Sequence, residues 1–478
     1  MAFTGTGRTE DRRVPRLRSA AGIAAAAGTL ALAAGCSSGA ASSGAASALV
    51  AKAADPVTSA TAEADCRRLT AAACYAPRQF RTAYGIQPLL NRGIDGRGET
   101  VVLQEFAKTP GEPDPGENVP TTDIRQDLAL FDGAFGLPAA RLQVDTSLAG
   151  SASPWSASGE EVEDAEIVHT VAPGATIRVI LIPRQSSNAT AVAATDAVLR
   201  LALSQGSVVS IGPGGGESCY TSAQATGLNS ALQAAQDHHV TVVASTGDLG
   251  AAVAACSGTG LPVKGVGLYA ADPLVLSVGG TTLDANRATG AYISETAWKT
   301  TTPAPATGSD GPVSSAAGSS SSSSGVIQEG SGGGFSQLFP RPAYQDGVPG
   351  IGAARGLPDV AGDADPATGM TLAASEEGGK DVFWPASGTS ASGPLWAALI
   401  ALADQYAGRP LGLVNPAIYR IGRSADYHQA FRDISTGSNT VEFAHHTVTG
   451  YKTSPGWDPV TGWGSPNAQA LIPLLARS

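Results

Sequence analysis

Three short apolar runs constrain the fold of this chain more than any other feature: Glu99–Gln104 (ETVVLQ), Thr176–Ile182 (TIRVILI) and Thr241–Ser245 (TVVAS). They are rich in β-branched residues and nearly continuous in hydrophobicity, the pattern of strands covered on both faces. Between the last two, Ala191–Leu203 and Gly227–Ala235 have helical composition. Strand alternating with helix predicts an α/β fold whose central sheet is mostly parallel and flanked by helices. Composition agrees with a loop-rich globular domain: 15% of residues are charged, and there are 59 glycines and 31 prolines. A net charge of −11 argues against a phosphate-backbone partner, which needs clustered Lys and Arg, so no nucleic acid is expected.

The N-terminus predicts export. Arg8, Arg12, Arg13, Arg16 and Arg18 precede an Ala-rich apolar run from Ala20 to Ala34, the layout of a signal peptide and too short for a membrane span. Leu32-Ala33-Ala34-Gly35-Cys36 resembles a bacterial lipobox, in which lipidation of Cys36 would attach the protein to a membrane; the alternative is a plain secreted protein. Removing residues 1–35 takes away five arginines and two acids, which moves the formal charge from −11 to −14. Residues 36–65 are Ser, Ala and Gly with almost no large apolar side chain, so they read as a flexible tether. The remaining chain, 66–478, reads as one domain interrupted at about 300–334 by a disordered, Ser-rich insertion containing Ser319–Ser324. Cys66, Cys74, Cys219 and Cys256 allow three pairings, of which Cys66–Cys74 and Cys219–Cys256 are preferred because each closes a local segment.

The candidate chemistry starts at Ser387-Gly388-Thr389-Ser390-Ala391-Ser392-Gly393-Pro394, which runs into the apolar helix Leu395–Leu402. A Gly-Thr-Ser turn places the Ser390 hydroxyl at a helix N-terminus, where it is either a nucleophile or, like Ser392, a helix cap. Pro394 is expected in the first turn. A nucleophilic serine needs a base. None of His169, His238, His239, His428, His445 and His446 stands in a His-Gly-Thr-His setting, and His169 reads as structural.

Carboxylates are the remaining bases. In Ser158–Ile167 (SGEEVEDAEI), Ser158 and Glu161 form a capping-box pattern, so a helix starts there and ends by Pro173. Glu160 and Asp164 then lie one turn apart on one face, either as a proton-sharing pair or as part of a solvated acidic face. Asp248 ends the apolar strand in Thr246-Gly247-Asp248, either as a functional group at a sheet's carboxyl edge or as a turn former.

Taken with Gly333-Gly334-Phe335-Ser336, Phe339-Pro340-Arg341-Pro342, Leu357-Pro358-Asp359-Val360, Ala364-Asp365-Pro366 and Val278–Leu283 (VGGTTL), these segments resemble the sedolisin family of serine-carboxyl peptidases, which includes kumamolisin-like enzymes and tripeptidyl peptidases. The resemblance spans nearly all of 66–478. It implies a subtilisin-like α/β fold, with Ser390 as nucleophile, Glu160 as general base, Asp164 orienting that base and Asp248 stabilising the oxyanion. Acid chemistry follows, because an imidazole near pKa ~6.5 is protonated at pH ~3–4 whereas a Glu near ~4.3 can still accept a proton. An Asp248 protonated in acid can donate to the oxyanion; ionised, it would repel it.

The same resemblance implies one Ca²⁺ ion held by the Asp433 and Asp458 carboxylates and by the carbonyls of Ile434, Ser454 and Gly456, a set of hard oxygen ligands. The expected protein is an exported, monomeric, acid-active endopeptidase acting on polypeptides, either secreted or a cell-surface lipoprotein. Two other readings are a surface-anchored peptide-binding pseudopeptidase and a tripeptidyl exopeptidase. Two departures from the family bear on this. Only the signal and tether precede the catalytic-like start, so activation by propeptide removal is not expected. Val208–Glu217 (VVSIGPGGGE) stands where the family often has Ser-Trp-Gly, so an aromatic contributor to the cleft is missing, although a peptide could still pair beside the strand.

Overall fold

The computed structural model describes residues 57–107, 123–150, 158–185, 187–203, 208–257, 260–303, 326–375, 381–443 and 446–477. Its first helix, α1 (Ser59–Thr70), starts inside the stretch read as tether. Thr58 caps it by accepting from the Thr61 amide, Ala62 and Cys66 are buried on one side, and Arg67 pairs with Glu63 one turn away. The Ala, Glu and Arg content of 59–70 favours a helix, and the apolar face of that helix has somewhere to dock. The signal, Cys36 and most of the tether lie outside the described residues.

The central sheet contains β1 (Thr100–Phe106), β2 (Arg141–Asp145), β3 (Thr176–Ile182), β4 (Val208–Ile211), β5 (Thr241–Ser245), β6 (Leu276–Ala285), β7 (Tyr292–Ala297) and β8 (Val360–Asp363). The order β8-β6-β5-β4-β1-β3-β2 is parallel throughout, and β7 pairs antiparallel with β6. Five further helices are α2 (Ile124–Phe135), α3 (Gly159–Val171), α4 (Asn188–Ala202), α5 (Ser222–Asp237) and α6 (Gly388–Ala407). The Ser187 and Thr221 side chains cap α4 and α5, so both begin a few residues before the apolar positions that first suggest them.

Strand alternation sorts the helices onto two faces. Val101 and Leu103 of β1 join the core formed with Val162 and Val168 of α3 and with Leu395 and Leu399 of α6. Val102 points the other way, into a second core with Val198 and Leu199 of α4 and Leu228 and Leu232 of α5. Full burial of each such side chain contributes roughly 1.5–3 kcal/mol. Every residue from Leu395 to Ala403 is fully buried, which an all-apolar helix requires. Gly393 brings α6 close to the sheet, since a Cβ there would lie 2.7 Å from Ser245 Oγ.

Both preferred disulfides are present, Cys66–Cys74 and Cys219–Cys256. The Ser-rich insertion is narrower than expected. Its flanks, Lys299–Pro303 and Val326–Gly330, pair as antiparallel strands, because Thr, Val and Ile there favour a ladder; 304–325 lie outside the described residues. Among the described residues no helix is long and apolar enough to cross a membrane.

Candidate active site

Helix α6 begins at Gly388, with Ser387 as its extended N-cap residue, so neither Ser390 nor Ser392 is the cap. Ser390 is the third helical residue, and its hydroxyl is directed across to α3, donating to Glu160 Oε1 at 2.8 Å. Pro394 is the seventh residue of the helix and lies inside it, not in the first turn. The turns before it are committed to the site, and the amide that would donate to the Ser390 carbonyl is missing from the ladder.

Helix α3 starts as expected. The Ser158 hydroxyl accepts the Glu161 amide at 3.0 Å. The reciprocal half of the capping box is weak: the Ser158 amide is near enough to favour the ionised form of Glu161, but both carboxyl oxygens lack a full hydrogen bond. The acidic face is not solvated. Glu161, Glu163, Asp164 and Glu166 are all buried, because α3 is packed between the sheet, α2 and α6. Burial holds the Asp164 carboxyl well above the ordinary range, and the neighbouring charges of Glu105, Glu160 and Glu163 add to this.

Glu105, which the sequence did not single out, is a fourth carboxyl at the site. It is buried near the end of β1 and hydrogen-bonds the Asp164 side chain. The run ETVVLQ suggests a strand ending at Gln104, yet β1 continues through Glu105 and Phe106.

Asp248 follows β5, at the carboxyl edge of the sheet, where open α/β folds place functional groups. Its Oδ1 accepts from both the amide and the hydroxyl of Thr389, each at 2.8 Å. The Thr389 hydroxyl in turn accepts from the Gly247 amide at 3.0 Å. Asp248 and Ser390 are therefore tied to one turn of α6. His169 is buried away from this chemistry, with Nε2 2.8 Å from the Pro138 carbonyl.

Ser390, Glu160, Glu105, Asp248 and Thr389 line one cleft of about 520 Å³, together with Gly212–Gly215, Tyr220 and Tyr269. The glycine stretch lacks its own aromatic group, but the cleft does not. A Cβ on Gly214 would lie 2.7 Å from the Tyr269 ring, and the Tyr220 hydroxyl accepts the Gly215 amide at 2.9 Å.

The residues expected to hold a metal also converge. The Gly456 amide donates to Asp433 at 3.1 Å, and the Ser454, Val460 and Thr461 amides donate to Asp458. Burial raises the Asp458 carboxyl to about 6. The carbonyls of Ile434, Ser454 and Gly456 accept no hydrogen bond among the described residues. No group of three or more His, Cys, Asp or Glu suited to a metal occurs among the described residues. Two carboxylates with three open carbonyls is still chemistry that fits a hard cation.

No family model matches the chain. Kumamolisin from Bacillus sp. (strain MN-32) is 32% identical over 423 residues, covering 84% of this chain and 65% of kumamolisin. Tripeptidyl-peptidase 1 from Dictyostelium discoideum is 35% identical over 165 residues, 31% of this chain and 25% of its own length. The chain thus spans less than two thirds of the curated relatives it matches. Among solved structures, Pseudomonas sedolisin, a serine-carboxyl proteinase complexed with two molecules of pseudo-iodotyrostatin, aligns with a TM-score of 0.64 at 24% identity, covering 84% of this chain and 98% of that one. Similarity to kumamolisin thus runs along most of the chain, and its fold is the subtilisin-like fold that Pseudomonas sedolisin also has.

Proposed function

We propose that the protein is an exported, acid-active serine-carboxyl endopeptidase. The observation that carries this reading is the 2.8 Å hydrogen bond from Ser390 Oγ to Glu160 Oε1 between two helices far apart in sequence. Glu160 takes the Ser390 proton as Oγ attacks the scissile carbonyl. Protonated in acid, Asp248 donates to the developing oxyanion. Glu160 then returns the proton to the leaving amine, and the C–N bond breaks to leave an acyl-enzyme. Water, deprotonated by the same Glu160, attacks the ester; the C–Oγ bond breaks and Glu160 returns the proton to Ser390 Oγ. Asp164, backed by Glu105, orients Glu160 throughout. A peptide lying beside the Gly212–Gly215 segment that follows β4 is positioned by main-chain pairing.

Asp433, Asp458 and the carbonyls of Ile434, Ser454 and Gly456 would hold one Ca²⁺, whose charge offsets the buried Asp458 carboxylate. We further propose export through residues 1–35, with lipidation at Cys36.

Proteolysis of an unfolded protein substrate across pH ~2–7 tests the proposal. Activity is expected to peak below pH ~5 and to vanish in Ser390→Ala and Glu160→Ala. Internal fragments of varied length mark an endopeptidase, whereas successive tripeptides would replace that part of the reading. Unchanged activity in Ser390→Ala would remove the nucleophile.

A further inference from the structure

Thr389 adjoins the proposed nucleophile in sequence and touches the proposed oxyanion acid in space. Its hydroxyl has one proton to donate. The Gly247 amide donates to that oxygen at 3.0 Å, and the hydroxyl lies 2.8 Å from Asp248 Oδ1. The Asp248 carboxyl is the acceptor of the pair, so the Thr389 proton points to Oδ1. The Thr389 amide donates to the same oxygen, also at 2.8 Å. An oxygen already accepting two hydrogen bonds is a poor site for an acid proton, so the proton of a neutral Asp248 belongs on Oδ2.

Gly388 keeps the other side of this carboxyl open. It has a φ of +77°, a conformation that side chains resist, and a Cβ there would lie 2.8 Å from Asp248 Oδ2. The sequence Gly388-Thr389 thus distinguishes the two carboxyl oxygens: one is saturated by the threonine and the other is spared by the glycine.

We infer that Thr389 is a positioning residue that assigns the Asp248 proton to Oδ2, the oxygen that donates to the oxyanion. The inference rests on the oxyanion role proposed for Asp248. Without the hydroxyl the proton is shared between the two oxygens, and only one of those states is productive. Two effects follow with opposite signs. The rate falls, because a donor needed in the transition state is correctly placed less often. The carboxyl also becomes easier to protonate, because a hydrogen bond that favours the ionised form has gone.

The test uses the full chain with Thr389→Val, Thr389→Ser and, should valine disturb folding, Thr389→Ala, each checked by thermal melting. In Thr389→Val, kcat is expected to fall about 10- to 100-fold with KM little changed, as for loss of a transition-state interaction. The alkaline limb of its pH profile moves up, and Thr389→Ser restores both properties. Carboxyl 13C NMR of aspartate-labelled protein, with the Asp248 signal assigned through Asp248→Asn, should show the Asp248 midpoint moving up in Thr389→Val. An unchanged midpoint, or a Thr389→Ser as impaired as Thr389→Val, overturns the inference. The NMR titration decides the point even if the parent protein cleaves no peptide, an outcome that defeats the peptidase reading separately.

Discussion

Glu105 on β1 and Asp164 on α3 share a hydrogen bond between two buried carboxyls, so the acid proposed to orient Glu160 is itself held by an acid. Two like groups in this position can share the bond only while one is protonated. Glu105→Gln removes a charge that raises Asp164 and leaves an amide able to donate to it. The acid limb of kcat/KM is therefore expected to move to lower pH, with kcat reduced several-fold. A pH–rate profile of the variant checks this, and an unmoved limb contradicts it.

Stability should depend on pH in the same direction as that proposed for catalysis. Glu161 is fully buried without a full hydrogen bond, and burial, then the Glu105 charge, raise it well above the ordinary range. Burial likewise raises Glu166, with Asp127, Asp132 and Glu163 as negative neighbours, and raises Asp127 to about 7 despite the Ser375 amide. Groups raised on folding stabilise the native state fully below their unfolded values, and this contribution is lost as pH rises through the folded ones. Melting temperature is therefore expected to fall between pH ~4.5 and pH ~7.5. Glu161→Gln should be stabilised relative to the parent at pH ~7, by about 1–3 kcal/mol, and nearly neutral at pH ~4. Melting curves at the two values decide it.

The Cys219–Cys256 bond closes a loop with a sequence separation of 37, and chain entropy gives it about 4 kcal/mol. Cys219 also lies just beyond the glycine stretch of the cleft, and its carbonyl accepts from Asn188 at 2.7 Å. Replacing both cysteines by serine should lower the melting temperature and raise KM more than it lowers kcat. Steady-state kinetics with thermal melting test this.

Calcium dependence is expected to be one of stability. Chelation should lower the melting temperature of the parent, whereas Asp433→Ala and Asp458→Ala should start low and not respond to chelator. Indifference of the parent to chelator removes the metal from the proposal.

The β3 and β5 strands and the start of α3 were legible because each depends on local pattern: continuous apolar runs, and a serine three residues before a glutamate. Glu105 was not, because a charge after VVLQ reads as the end of a strand until α3 is seen lying over it. The burial of Glu161 was hidden for a related reason: EEVEDAE has the composition of a surface helix, and only packing on three sides puts it inside. Thr389 and Asp248 are 141 residues apart, and no spacing rule connects them. The docking of α1 through Ala62 and Cys66 was equally invisible in a stretch that merges with an Ala-, Ser- and Gly-rich leader.

The sequence separation of 230 between Glu160 and Ser390 also bears on synthesis. A chain that has emerged only as far as β8 already carries Glu160, Asp164 and Asp248 but lacks Ser390, the proposed nucleophile. Helix α6 must still be made and must dock between α3 and the sheet, a late, non-local step. The proposed nucleophile arrives only with α6, so a copy truncated before that helix is expected to be inert as a peptidase.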